Sequence, residues 1–417
     1  MIELVVAIFI IVYLGMILGS LPFLQIDRTG VALLGAIALI GFDAVSLEEA
    51  AQSIHLPTLI LLFAFMVVSA QMRLGGFYDE VTRWIARLPV APPLLIGALI
   101  FMAASLSAVF SNDIVCLVVA PILIDVCRGQ RLAPLPFLLA LACGANIGSA
   151  ATLIGNPQNM LIGETLHLSF AGYLREAALP VGLGLAATWA LVLALTRRNL
   201  VDVADIASHD GTQEDAMPEA GVPLDSWQTM KGLTVAGVIV ACFLFTDWPR
   251  EVVALTGAGV LLTSRRLHSR QMLGLVDWEL LVLFIGLFVV NHALQKTGLP
   301  ALLVADLSAA GMPLTDLGPL FATTFVLSNM VSNVPAVMLL LPSVAHTLAG
   351  PTLALVSTLA GNLLIVGSVA NIIVVDAAAQ RGIVIGWREH ARIGIPVTLV
   401  TLAIAAAYLA LRWAAAH

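Results

Sequence analysis

Residues 111–116 read SNDIVC and place a carboxylate, Asp113, inside the otherwise uncharged apolar run 93–124. A charge at mid-bilayer costs ~2.5–3.5 kcal/mol on insertion scales, so an acid kept there points to ion or proton handling. Asparagine repeats the signal. Nine of the ten asparagines lie in apolar segments: Asn112, Asn146, Asn156, Asn159, Asn291, Asn329, Asn333, Asn362 and Asn371. A buried amide is costly without partners, and all but Asn291 gather at polar breaks or in "N…GNPQN" and "N…GSVAN" segments.

Each break has the grammar of a helix start. In SNDI, Ser111, Asn112 or Asp113 can cap a returning helix; in SNVP, Asn333 caps and Pro335 sits in the first turn. In GNPQN, Asn156 caps, Pro157 is first and Asn159 shares the turn; in GSVAN, Ser368 caps and Asn371 follows. The stretches before the last two contain glycines and can unwind, which a bilayer tolerates only where backbone lines a cavity. Four helix N-termini meeting there favour an anion, and amide, hydroxyl and carbonyl oxygens suit a small cation. The candidate substrate- and ion-binding residues are therefore Ser111, Asn112, Asp113, Asn146, Thr152, Gly155, Asn156, Asn159, Ser332, Asn333, Asn362, Gly367, Ser368 and Asn371, with Asp113 the candidate for H+ or Na+ coupling.

The elements that position these residues follow from composition. The chain is 60% hydrophobic and 11% charged, with mean hydropathy +1.01. Soluble domains carry about 25% charged residues, so 417 residues of this kind cannot cover a water-facing surface. Runs such as 319–375 exceed the ~20 residues that cross a bilayer, and they do not alternate as barrel strands do. The expectation is an all-α polytopic membrane protein. Glu3 stands where a signal peptide would be basic, so the first apolar run reads as a span. Cys116, Cys127, Cys143 and Cys242 lack CxxC spacing and read as buried free thiols. Asn291 reads as interhelical glue, and 79–88 as an amphipathic interfacial helix.

An acidic stretch, 199–231, divides the chain and reads as a solvated linker. Residues 27–40 lie over 249–262, 56–70 over 278–292, 106–121 over 327–342, and 155–162 over 367–374, in preserved order. The chain thus reads as two repeats, 1–198 and 232–417. Each has about five spans plus a hairpin (92–127, 313–343) and a broken helix at the substrate site (134–160, 353–376). The spans fall near 3–20, 29–41, 55–72, 134–160 and 173–195, then 232–246, 252–264, 279–295, 353–376 and 393–411. Treating the hairpins as re-entrant puts fifteen of the 19 Lys and Arg on one face, which the positive-inside rule makes cytoplasmic. The halves then have opposite orientation, with both termini outside and the linker cytoplasmic. Inverted repeats of this kind mark secondary transporters.

The segments SND…AP, NIGSAATLIGNPQNMLIG, SNVPAVMLLLP and GNLLIVGSVANIIV resemble the ion transporter superfamily. That group includes ArsB-type arsenite permeases, NhaD sodium/proton antiporters, citrate-transporter-like permeases and divalent anion:sodium symporters. The resemblance spans nearly the whole chain and implies a homodimer whose protomers pair a scaffold with a mobile, elevator-like transport domain. It implies hairpin-tip ligands at Ser111, Asn112, Ser332 and Asn333, and broken-helix loops at Gly155, Asn156, Gly367 and Ser368. Dicarboxylate symporters carry Ser-Asn-Thr at both tips; Ser-Asn-Asp and Ser-Asn-Val here fit an anion permease of the ArsB or citrate-transporter-like kind better. An arsenite type would add a separate ATPase subunit.

An intramembrane enzyme needs a nucleophile with a base, or paired carboxylates; one deep acid and no HExxH do not supply them. Lys231 and Lys296 are the only lysines, and neither fits a phosphate loop. The expected function is H+- or Na+-coupled movement of a small anion or oxyacid across the inner (cytoplasmic) membrane, arsenite or antimonite efflux being the concrete case. Na+/H+ antiport and Na+-coupled di- or tricarboxylate uptake are the alternatives. The expected partners are the lipid bilayer and a small inorganic or organic anion, with no nucleic acid, catalytic residue, cofactor or resident metal.

Overall fold

Small residues set the centre of the molecule. The computed structural model describes residues 1–18, 26–197, 200, 222–344 and 346–416, and among these it is helical, with no strand. Before the linker come α1 (Ile2–Leu18), α2 (Arg28–Gly41), α3 (Leu47–Ser53), α4 (Leu56–Leu74), α5 (Phe77–Ala86), α6 (Pro92–Phe110), α7 (Asn112–Gly129), α8 (Pro134–Ser149), α9 (Pro157–Thr165) and α10 (Phe170–Thr196). After it come α11 (Ser226–Phe245), α12 (Arg250–Leu262), α13 (Ser269–Leu273), α14 (Trp278–Lys296), α15 (Leu299–Ala309), α16 (Leu317–Val331), α17 (Asn333–Leu340), α18 (Ala349–Ala360), α19 (Val369–Gln380) and α20 (Trp387–Ala416).

Helix starts follow local chemistry. Asp27 caps α2 through Gly30 N–H at 2.8 Å, and Ser46 with Glu49 forms a reciprocal capping box on α3. Asp277 caps α14, and Ser169 caps α10. Among the described residues six helices, α4, α6, α10, α11, α14 and α20, are long and apolar enough to cross a membrane. Helices of that kind in one chain make it a multi-pass membrane protein.

Every residue of α18, and of α8 from Pro136 onward, is buried. The run ALACGANIGS in α8 lets backbones approach closely. A Cβ at Gly148 would lie 2.2 Å from Ala104 Cα, so α6 and α8 touch backbone to backbone. Packing between the halves is crossed: α2 lies along α14, α12 along α4, and α10 against α20.

Helices lie at the expected positions with small shifts, and 134–160 and 353–376 are each divided between two helices. The two long breaks fall at 150–156 and 361–368, inside the expected broken helices. Each expected hairpin is a helix pair that turns at one serine, Ser111 or Ser332. Most of the expected linker lies outside the described residues, and α11 starts at Ser226 rather than 232 because Asp225 accepts from Trp227 and Gln228 N–H. The four cysteines are free, but Cys242 is only half-buried.

Candidate functional site

Asn146, in the last turn of α8, is the hub of the buried polar residues. Its Oδ1 accepts from Asn112 Nδ2 at 2.9 Å and from Ser368 Oγ at 3.0 Å. Its Nδ2 donates to Asn362 Oδ1 at 2.9 Å and to Asn371 Oδ1 at 3.0 Å. One side chain thus joins the first hairpin tip to both sides of the second break. The first tip also meets its own half's break, since Asn112 N–H donates to the Gly155 carbonyl at 3.2 Å. Asn333, at the second tip, lies beside Gly361.

The two breaks are held by corresponding bonds. Asn159 Nδ2 donates to the Thr152 carbonyl at 3.0 Å and reaches that of Ser149 at 3.5 Å. In the register that lays 155–162 over 367–374, the counterparts are Asn371, Leu364 and Gly361. Asn371 Nδ2 donates to the Leu364 and Gly361 carbonyls at 3.0 and 2.8 Å. That register carries Asn146 onto Thr358, and Thr358 plays the matching part across the halves. Its hydroxyl accepts from Asn156 Nδ2 at 3.1 Å and from Gln158 Nε2 at 3.2 Å. Gly155 and Gly367 permit both loops: a Cβ would lie 2.2 Å from the Ser149 oxygen in one and 3.0 Å from the Gly361 oxygen in the other.

Both tip serines have backbone strain. Ser111 has φ 72°, ψ 136° and Ser332 has φ 77°, ψ 160°, a region that side chains rarely adopt. The two serines, which the register of 106–121 over 327–342 aligns, share it although neither is glycine.

Several expectations need correction. No side chain of Ser111, Asn112 or Asp113 caps α7; Ser111 holds the cap position without a side-chain bond to the helix. Asn333 is the first residue of α17 rather than its cap, although Pro335 does fall in the first turn. Ser368 precedes α19, but its hydroxyl is committed to Asn146 instead of the helix N–H groups. Thr152 stays outside the hub: its hydroxyl donates to the Ala108 carbonyl at 2.5 Å and accepts from Ile154 N–H. Asn156 caps α9 as expected, accepting from Asn159 N–H at 2.9 Å. Asn291, bonded by Tyr13 OH at 2.8 Å, ties α14 to α1 outside the site.

Sequence reading did not single out Thr358, Gln158 or His390. Only the repeat register could have pointed to Thr358. His390 Nε2 lies 3.1 Å from the Asn362 carbonyl, and a Cβ at Gly394 would lie 2.4 Å from that same oxygen, so α20 closes the second break from behind.

Among the candidate residues, four buried side-chain atoms have no hydrogen-bond partner: Asn112 Oδ1, Asp113 Oδ1, Asn333 Oδ1 and Asn362 Nδ2. Three are acceptors and one is a donor. Among the described residues, no Lys or Arg side chain bonds to any candidate residue. Orphaned buried polar atoms are costly, so the arrangement suits a guest that brings positive charge or O–H groups to the oxygens and an acceptor to the amide.

Comparison with known proteins is consistent with this fold. The family described as "Citrate transporter" (CitMHS) matches residues 5–360. The silicon efflux transporter LSI3 of Oryza sativa subsp. japonica is 31% identical, over 92% of this chain and 93% of its own. The inner membrane protein YbiR of Escherichia coli (strain K12) is also 31% identical, over 89% and 93%. The crystal structure of the Alcanivorax borkumensis YdaH transporter superposes with TM-score 0.52 at 15% identity, covering 98% of this chain and 97% of that one. Matched along most of its length, the chain belongs to the citrate transporter family, within the ion transporter superfamily, whose members are transporters and not enzymes.

Proposed function

We propose that this chain is a secondary transporter of a small, weakly acidic oxyacid, coupled to H+ or Na+ through Asp113. The observation that carries the reading is the set of orphaned atoms at the helix breaks: Asn112 Oδ1, Asp113 Oδ1, Asn333 Oδ1 and Asn362 Nδ2. A hydroxylated, largely neutral acid such as arsenous or silicic acid both donates and accepts, so it satisfies both kinds of atom. A di- or tricarboxylate would enter with net negative charge beside Asp113 and meet no guanidinium or ammonium group. The name of the silicon efflux relative supports the same solute class.

Alternation follows from two inverted repeats around this site. The crossed packing of α2 on α14 and of α12 on α4 supports that reading, as do the paired bonds of Asn159 and Asn371. The hairpins are re-entrant and move with the breaks as an elevator. Asp113, whose carboxylate faces the backbone N–H of Ala370, is neutral when protonated or joined by Na+, and then admits the solute.

The test uses everted vesicles with an acidified lumen and a pH-sensitive dye. Arsenite, antimonite, silicic acid, citrate, succinate and Na+ are added singly to the native chain and to Asp113→Asn. Collapse of the gradient by an oxyacid, lost in Asp113→Asn, supports the reading; a response to citrate alone refutes it. A response to Na+ alone makes the chain a Na+/H+ antiporter, a reading favoured by the three orphaned oxygens. Full coupling in Asp113→Asn would remove that residue from the mechanism.

A further inference from the structure

The same repeat registers bring two arginines and two acids into crossed correspondence. Laying 155–162 over 367–374 carries Glu164, near the end of α9, onto Asp376 in α19. Laying 27–40 over 249–262 carries Arg28, first residue of α2, onto Arg250, first residue of α12. The two-fold relation therefore predicts two equivalent pairs, Glu164 with Arg250 and Asp376 with Arg28.

Only one is made. Arg250 Nε lies 2.9 Å from Glu164 Oε1, with the side chains 15% and 10% exposed, and Arg250 Nη2 donates to the Gly163 carbonyl at 3.0 Å. In the other pair, Arg28 Nε is buried without a hydrogen-bond partner, and Asp376 is exposed. Among the described residues no carboxylate pairs with Arg28. A buried guanidinium N–H without an acceptor is costly, which means that Arg28 is short of a partner in this arrangement.

A second asymmetry agrees. Helix α5 packs on α6 and α7, with Tyr78 fully buried and its hydroxyl 2.7 Å from Ser69 Oγ. Its counterpart α15 has no buried residue. A crevice of about 370 Å³ opens instead between α14, α15 and the end of α17, lined by residues that include Asn291, Gln295, Val304 and Leu339. The halves hold the same elements at different separations, as expected when α9 and α19, which carry the site, are displaced along α2 and α12.

We propose that the two pairs are alternating latches. Glu164–Arg250 holds the state described here, and Arg28–Asp376 replaces it when the site turns to the opposite face of the membrane. The four residues are positioning residues: they touch no solute and decide which face the site opens to. Exchanging one pair for the other leaves neither guanidinium without a carboxylate partner in both end states, the condition for two discrete arrangements. The inference rests on the inverted-repeat reading above and is independent of the solute.

The test is thiol cross-linking of the full chain in membranes, with Cys242→Ser removing the half-buried native thiol. In protein carrying Arg28→Cys and Asp376→Cys, a short bifunctional reagent gives a low yield. Adding Glu164→Gln raises that yield on the order of tenfold, because it removes the competing pair. A yield at the first pair that is unchanged by Glu164→Gln, in protein eluting as the parent does, overturns the proposal. So does a yield at the first pair that is already high before Glu164→Gln is added. Arg250→Gln replaces Glu164→Gln if that variant fails to elute as a single species. No solute is added, so a failed latch and a failed solute assignment are told apart.

Discussion

Asn146 Nδ2 lies 3.0 Å from Asn371 Oδ1, joining the last turn of α8 to the first turn of α19 across the two halves of the chain. The same amide uses its three other positions on Asn112, Asn362 and Ser368. Asn146→Asp replaces two donors with lone pairs that face other oxygens. Solute flux is expected to vanish while the protein still inserts. Asn146→Ala leaves the partners unpaired, at about 1–3 kcal/mol for each group that stays buried, and lowers the melting temperature in detergent. Undiminished flux in Asn146→Asp would remove the hub from the site.

Ser111 and Ser332 share a backbone region suited to glycine. Such strain costs about 1–3 kcal/mol per residue. Ser111→Gly is therefore expected to raise the melting temperature, and Ser111→Ala is not. Both lower flux if the hydroxyl contacts the transported species. A Ser111→Gly protein that melts below the parent contradicts the strain.

Gly155 leaves no room for a side chain, its added Cβ being 2.2 Å from the Ser149 oxygen, whereas at Gly367 the nearest oxygen is 3.0 Å away. Gly155→Ala must open the first break, at a cost of about 1–3 kcal/mol or more. Gly367→Ala needs a smaller shift. Thermal melts should rank them in that order, and Gly155→Ala should lose flux because Asn112 N–H bonds the Gly155 carbonyl.

Glu49 lies outside the spans. Lys296 at 2.8 Å, and then the Ser46 backbone N–H, hold its carboxyl down at about 2. A depressed folded-state value means that the stabilisation is present above the unfolded value of about 4.3 and is lost as pH falls from there toward 2. Melting temperature should drop between about pH 5 and about pH 3 by less in Glu49→Gln than in the parent. The pair is exposed, so the difference should shrink in high salt. Identical drops in the two proteins would assign the acid sensitivity elsewhere.

Much of this protein was determined locally and was therefore readable in order along the chain. Apolar length fixed the long helices, because a bilayer-sized run without charge has few other fates. Asn156 and Pro157 marked the start of α9, since a cap and a first-turn proline act on the next few N–H groups alone. SND and SNVP marked the turns of the helix pairs for the same reason, although which residue stands at each turn was set by the path of the chain on both sides.

Partnership across the halves was decided only by tertiary structure. Asn146 looked like one polar residue among nine, and its four bonds reach Asn112, Asn362, Ser368 and Asn371, three of them more than 200 residues away. Thr358 carried no signal of its own, being a common hydroxyl in an apolar helix. Thr152 had the right type and neighbourhood, yet its hydroxyl went to the Ala108 carbonyl because α6 passes there. Sequence sets which groups need partners, since that depends on chemistry and on a few neighbouring residues. Which groups meet, and which are left for a guest, depends on how distant helices pack, and no local pattern records that.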